Sequence, residues 1–292
     1  MNAGATLRGR AEAEASRLPP LFIRADQLSG TFLLGEHGRR RAGIGDDFWQ
    51  YRPAAPGDEH RNIDWRRSAR SDMQYVRQLE LKIARNILIW MDGGSSMRFS
   101  SHMTFPEKID RARLLSLAVA ILLNRAGERV GLMGMDLPPK CGETQLARIS
   151  VALEQMEETE YGGPPVEHMP ANGSALFISD FLGSTESVRD ALATAAAKGV
   201  WGVMLQLLDP AEEAFPYRGR TLFESVGGSY AHETANAYDL QNRYLERLAE
   251  RKAELKSLCA AAGWQYGCFH TTQNARSMLL WLYRAIEGAH RE

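Results

Sequence analysis

An apolar run, Ile87-Leu88-Ile89-Trp90-Met91, ends in Asp92, and Gly93-Gly94-Ser95-Ser96 follows at once. A buried parallel strand reads as an uninterrupted apolar run, and a carboxylate at its C-terminal end stands where open α/β sheets gather their ligands. Carboxylate and hydroxyl oxygens are hard donors, suited to a divalent cation such as Mg²⁺. A second run, Ala175-Leu176-Phe177-Ile178-Ser179, ends the same way at Asp180. The plain alternative is that both aspartates cap turns or the helices that follow. A third chemistry, attack of the Asp92 carboxylate on phosphorus, normally needs a second aspartate two residues on, and that position is Gly94.

A different chemistry is written into residues 46 to 75. Arg52, Arg61, Arg66, Arg67 and Arg70 alternate with Asp46, Asp47, Asp58, Glu59, Asp64 and Asp72, and Trp49, Tyr51, Trp65 and Tyr75 stand between them. Guanidinium groups pair bidentately with carboxylates and stack on aromatic faces. One reading is structural, with Asp58, Arg61, Asp64 and Arg70 locking an irregular subdomain. The other makes Arg52, Arg61, Arg66 and Arg70 a docking surface for an acidic partner. Nucleic acid is disfavoured, because the interleaved acids cancel much of the field that phosphate binding requires.

The elements that must position these groups follow from periodicity. Strands are expected at 73–79, 86–92, 130–135, 175–179, 202–208 and 264–269. Helices are expected at about 107–126, 146–156, 185–198, 237–262 and 276–288, where apolar residues recur at helical spacing. Strands alternating with helices of this length imply an α/β protein with a doubly wound, mainly parallel, Rossmann-like sheet. Residues 1–29 are expected to form an arm, in which Pro19-Pro20 ends any helix over residues 1–18, residues 30–85 an irregular or β subdomain, and residues 86–292 the α/β domain.

Composition excludes several classes. The 292 residues are 44% hydrophobic and 24% charged, with a net charge of −1, so no global field draws nucleic acid or a membrane surface. Three cysteines, Cys141, Cys259 and Cys268, form no close pair and fit a reducing cytosol better than a disulfide framework. No apolar run reaches the roughly 18 residues that span a bilayer, so a cytoplasmic location is the expectation. His102 and His168 have no second ligand at metal spacing, and neither a P-loop nor a G-x-S-x-G elbow occurs.

The block Gly43-Ile44-Gly45-Asp46-Asp47-Phe48, Tyr51-Arg52-Pro53, Pro56-Gly57-Asp58, Arg61-Asn62-Ile63-Asp64-Trp65 and Ser68-Ala69-Arg70 resembles the signature of the domain-of-unknown-function 58 family. The resemblance continues through Val76-Arg77, Glu80, the Asp92 strand, Gly131, Ile178-Ser179-Asp180-Phe181 and Asp209-Pro210 with Glu212, over about residues 30 to 285. It implies a von Willebrand factor type A-like domain after the arginine block. Such domains often carry a metal-ion-dependent adhesion site, made of a strand-end DxSxS, a threonine from a second loop and an aspartate from a third. On that pattern Asp92, Ser96 and Asp180 are the metal-binding residues, and Gly94 replaces the first serine. A proline of Tyr161-Gly162-Gly163-Pro164-Pro165 stands near the expected threonine, with Thr159 and Thr144 as imperfect substitutes.

Three functions follow from these readings. The first is a non-enzymatic protein-interaction module, with Mg²⁺ at a degenerate adhesion site. For it the resemblance implies a MoxR-type AAA+ ATPase as partner, in chaperone-like maturation of a client protein. The second is a metal-dependent hydrolase at Asp92 and Asp180. The third is a structural scaffold without metal.

Overall fold

The computed structural model describes residues 20–31, 40–43, 47–56, 58–70, 73–82, 84–156, 162–166, 169–224 and 231–288. The arm expected at residues 1–18, the loop residues Thr159 and Tyr161, and His168 lie outside these. The chain divides into two compact units, residues 34–84 and the remainder.

In the smaller unit, β1 (Arg40–Gly43) and β2 (Asp47–Pro53) flank β3 (Tyr75–Lys82), and both pair with it antiparallel. A one-turn helix, α2 (Trp65–Ser68), follows the β2 strand and its loop. Asp64 caps it, its side chain accepting from the Arg67 N–H at 3.0 Å. The arginine block is therefore a small β-sheet with a capped turn.

The larger unit is a mixed α/β structure around a six-stranded, mainly parallel sheet. Its strands are β4 (Asn86–Met91), β5 (Arg129–Leu132), β6 (Leu137–Lys140), β7 (Ser174–Ser179), β8 (Trp201–Leu208) and β11 (Gln265–His270). They lie in the order β11-β8-β7-β4-β5-β6, with only the β5–β6 pair antiparallel. The direction in which the chain adds strands reverses between β4 and β7, the kind of point where such sheets leave a crevice at their C-terminal ends.

Helices cover both faces. On one lie α3 (Lys108–Arg125), α4 (Glu143–Glu154) and α8 (Ala275–Gly288). They are joined by α1 (Pro20–Gly30), which buries Leu21, Phe22 and Ala25 and packs on α3. The opposite face carries α5 (Glu186–Ala197) and α7 (Tyr238–Ala261). The short α6 (Pro210–Ala214) follows β8, and β9 (Thr221–Glu224) forms a hairpin with β10 (Ala231–Thr234).

Within the residues 1–29 expected as an arm, α1 packs against α3. Pro20 opens this helix, because its fixed φ and missing N–H suit a first turn. The expected strands and helices of the larger unit occur within a few residues of their predicted limits, whereas β6, β9 and β10 went unforeseen. Each of these is four residues long and partly exposed, too short to show a period. Among the described residues no helix is long and apolar enough to cross a membrane.

The core under α5 and α7 is aromatic. Trp90 meets Phe177 edge-on with centroids 5.7 Å apart, and Phe177 lies 4.6 Å from Trp264, whose indole N–H donates to the Val200 carbonyl. Trp264 covers β8 where Gly202 leaves space. A Cβ at Gly202 would stand 2.4 Å from the Ala175 carbonyl oxygen and 2.8 Å from the Trp264 ring. Gly202→Ala is expected to cost about 1–3 kcal/mol in urea unfolding, the usual range for overpacking. An unchanged midpoint would show that this layer yields freely.

Candidate functional site

The C-terminal ends of β4, β7 and β8 are neighbours and each is followed by an aspartate, Asp92, Asp180 and Asp209, all buried. Parallel register aligns them, with Met91 opposite Ile178 and Ser179 opposite Gln206. The two aspartates singled out from the sequence, Asp92 and Asp180, therefore share one edge.

Their chemistry is set by their partners. Asp92 Oδ1 accepts the Gly94 N–H at 2.7 Å, and Asp92 Oδ2 accepts the Ser179 hydroxyl at 2.7 Å. Burial pushes the Asp92 carboxyl above the ordinary carboxylate range, against the pull of those two bonds. Ser179 Oγ in turn accepts the N–H of Phe181, which takes a left-handed φ of 49° and turns its ring toward Trp90. Asp180 Oδ1 accepts the Leu182 N–H, and Asp180 Oδ2 faces the Lys108 ammonium at 2.8 Å.

Lys108 opens α3, is 0% exposed, and also donates to Glu212 Oε1 at 2.5 Å. Burial alone lowers the pKa of a lysine, but Asp180 and Glu212 outweigh it and the net direction is upward, so Lys108 is an ammonium ion. Burial raises the Glu212 carboxyl, with Lys108 opposing. Glu212 belongs to the capping box of α6: its other oxygen accepts the Asp209 N–H at 2.8 Å, while Asp209 accepts from Ala211 and from Ser101.

Asp92 and Asp180 stand on one strand-end edge, and Ser96 lies in the turn that follows β4. Ser96 sits half-buried in the turn Ser95–Arg98, and no hydrogen bond joins it to either aspartate among the described residues. Nor, among those residues, do three or more His, Cys, Asp or Glu side chains stand close enough together to hold a metal ion. The glycines that interrupt the adhesion pattern have a steric reason. A Cβ at Gly94 would come within 2.9 Å of Asp92 Oδ1, and one at Gly162 within 2.2 Å.

Lys108 escaped the sequence reading, although a signal was present. It is a cation in the first turn of a long apolar helix, where the helix dipole disfavours positive charge. Such a placement asks for a strong anionic partner.

The arginine block divides between the two readings. Arg52 makes paired bonds to both Asp58 oxygens, at 2.7 and 2.5 Å, so its guanidinium is structural and not free for a partner. Arg61 pairs locally with Glu59 and is exposed. Arg67 stacks over Tyr51 at 4.4 Å and reaches Tyr75 at 5.4 Å. Arg66 and Arg70 are exposed, and their side chains make no hydrogen bond or ion pair among the described residues. With Tyr51, Asp64, Arg67 and Tyr75 they line a cleft of about 590 Å³. Of the cysteines, Cys259 is buried in the core with its thiol pushed up to about 12, and Cys141 is exposed.

Lys108→Met is expected to cost about 3–5 kcal/mol in urea unfolding at neutral pH, because it strands two buried carboxylates. Adding Glu212→Gln to that variant should recover part of the loss, and its failure to do so would separate the two residues energetically. The Arg52 guanidinium and the Ala55 N–H hold the Asp58 carboxyl down at about 2. A depressed carboxylate contributes stability above its unfolded pKa of 3.8 and loses it as pH falls toward 2. Carboxyl NMR titration should find the Asp58 midpoint near 2, and Arg52→Gln should return it toward 3.8.

A family profile described as "Protein of unknown function DUF58" matches residues 50–254, which spans the arginine block and most of the sheet unit. Uncharacterised proteins of Mycobacterium bovis and Mycobacterium tuberculosis are 24% identical over 264 residues, covering 85% of this chain and 82% of theirs. Among solved structures, an aerotolerance-related membrane protein from Bacteroides fragilis, carrying multiple mutations to serines, is similar at a TM-score of 0.42 and 15% identity. That match covers 70% of this chain and all of the other. The conserved hypothetical protein BatB from Bacteroides thetaiotaomicron is similar at a TM-score of 0.42 and 14% identity, over 72% of this chain and all of that one. The family match, over well more than half of the chain, settles the grouping: this protein belongs to the DUF58 family.

Proposed function

We propose that the protein is a non-enzymatic interaction module, in which a von Willebrand factor type A-like sheet domain accompanies a smaller unit that carries an arginine–tyrosine docking cleft. The observation that supports this most directly is the cleft itself. Two exposed guanidinium groups, Arg66 and Arg70, line it with tyrosine side chains and form no ion pair among the described residues. Trp65 adds an exposed aromatic surface, 57% accessible, on the same short helix. Arginine and exposed aromatics are the residues that carry protein–protein affinity, and an acidic, carboxylate-bearing segment is the complement of this surface.

The sheet order, with its single antiparallel edge strand and reversal beside β4, fits the type A-like reading. The strand tips lend little to hydrolysis. Asp92, Asp180 and Asp209 each accept bonds from the chain's own donors, so none is poised as a nucleophile or base toward solvent. A MoxR-type AAA+ ATPase is the partner that the family resemblance proposes, with a client protein matured by the pair.

The test is capture of a purified MoxR-type ATPase from the same genome by the full chain. Arg66→Glu with Arg70→Glu should weaken binding roughly tenfold or more, the equivalent of about 1.4 kcal/mol. The melting temperature should hold, because both side chains are exposed and unpaired. Binding should also fall with added salt. Undiminished capture by the double variant would remove the cleft from the interaction.

A further inference from the structure

Three adjacent strand tips and one short helix bring Asp92, Asp180, Asp209 and Glu212 to a single buried edge. Carboxylates crowded in this way destabilise one another unless a cation stands among them. One does. The Lys108 side chain is wholly buried, and its ammonium reaches Asp180 Oδ2 at 2.8 Å and Glu212 Oε1 at 2.5 Å, with the Phe99 ring centroid 5.8 Å away. We propose that the Lys108 ammonium takes the place a divalent cation would hold at this sheet edge, so that the edge is complete without metal and offers no coordination position to a partner's carboxylate.

Geometry and chemistry support this from three sides. Asp180 Oδ2 faces the Lys108 ammonium, and Oδ1 already accepts the Leu182 N–H. Mg²⁺ sits about 2.0–2.1 Å from its oxygens, so a metal sharing Asp180 Oδ2 would stand within about 5 Å of the ammonium, and two cations so close repel. At Asp92 both carboxylate oxygens are already engaged, Oδ2 by the Ser179 hydroxyl. Gly94 donates its N–H to Oδ1, and Gly162 packs so near the same atom that any side chain there would collide with it. Glu212, the second acid on the ammonium, is held in register by its capping bond to the Asp209 N–H. A tethered monovalent charge thus offsets part of the negative charge of the edge, where Asp180 and Glu212 meet, and on this proposal the protein's stability is independent of free Mg²⁺. This holds whether or not the arginine cleft binds an ATPase, since no partner enters the argument.

The experiment uses the full chain with Mg²⁺ in calorimetry and thermal melts, and with Mn²⁺ in electron paramagnetic resonance. Wild type should show no heat of binding, no loss of the free Mn²⁺ signal, and the same melting temperature in EDTA and in millimolar Mg²⁺. Lys108→Ala should gain a Mg²⁺-dependent rise in melting temperature, and Asp180→Asn in the same chain should abolish that rise. Wild-type Mn²⁺ uptake that Asp180→Asn removes would overturn the proposal. So would a folded Lys108→Ala chain that binds no more cation than wild type. Should Lys108→Ala fail to fold in either medium, the wild-type Mn²⁺ titration decides alone, absence of uptake supporting the proposal and uptake rejecting it.

Discussion

One buried ammonium, shared between Asp180 and Glu212, ties together the beginning of α3, the end of β7 and the short helix α6. Removing such ions from water costs several kcal/mol each, and the pair repays it only where geometry is good and the remaining lone pairs are filled. Here they are filled. Asp180 also accepts from Leu182, and Glu212 also accepts from Asp209. The surrounding sheet must therefore keep its tips in register, because a slip of one residue in β7 would carry Asp180 to the other face.

The rest of the larger unit serves that register. Continuous apolar runs bury β4, β7 and β8 on both faces, and the stack of Trp90, Phe177 and Trp264 fixes one side of the sheet. Close approach is possible only where side chains are absent. Gly202 admits the Trp264 ring, and Gly94 with Gly162 admits backbone to the Asp92 carboxyl.

The smaller unit divides its arginines by task. Those with an acid or ring at the right spacing, Arg52 on Asp58 and Arg67 on Tyr51, hold the turn between β2 and β3. Those without, Arg66 and Arg70, remain at the cleft. Membership of the DUF58 family unites this unit and the sheet in one matched stretch. Alternation of charge in the sequence could not tell the two sets apart, because pairing depends on which side of a one-turn helix each guanidinium leaves.

The long elements of the sheet unit were legible in the sequence because burial on two faces demands continuous apolar runs, and burial on one face demands a helical period. Asp92 and Asp180 were legible for the same reason: a carboxylate that ends such a run must lie at a strand tip. Short edge strands such as β6 left no period to read, and α1 hid behind Pro20, which opens a helix as readily as it closes one. The partner of those aspartates was decided only by tertiary structure. Lys108 lies 72 residues from Asp180 and 104 from Glu212, and no local pattern links them. Charge pairing acts through space, so the cation that a sheet edge acquires is settled by how its helices pack, not by the spacing of its ligands along the chain.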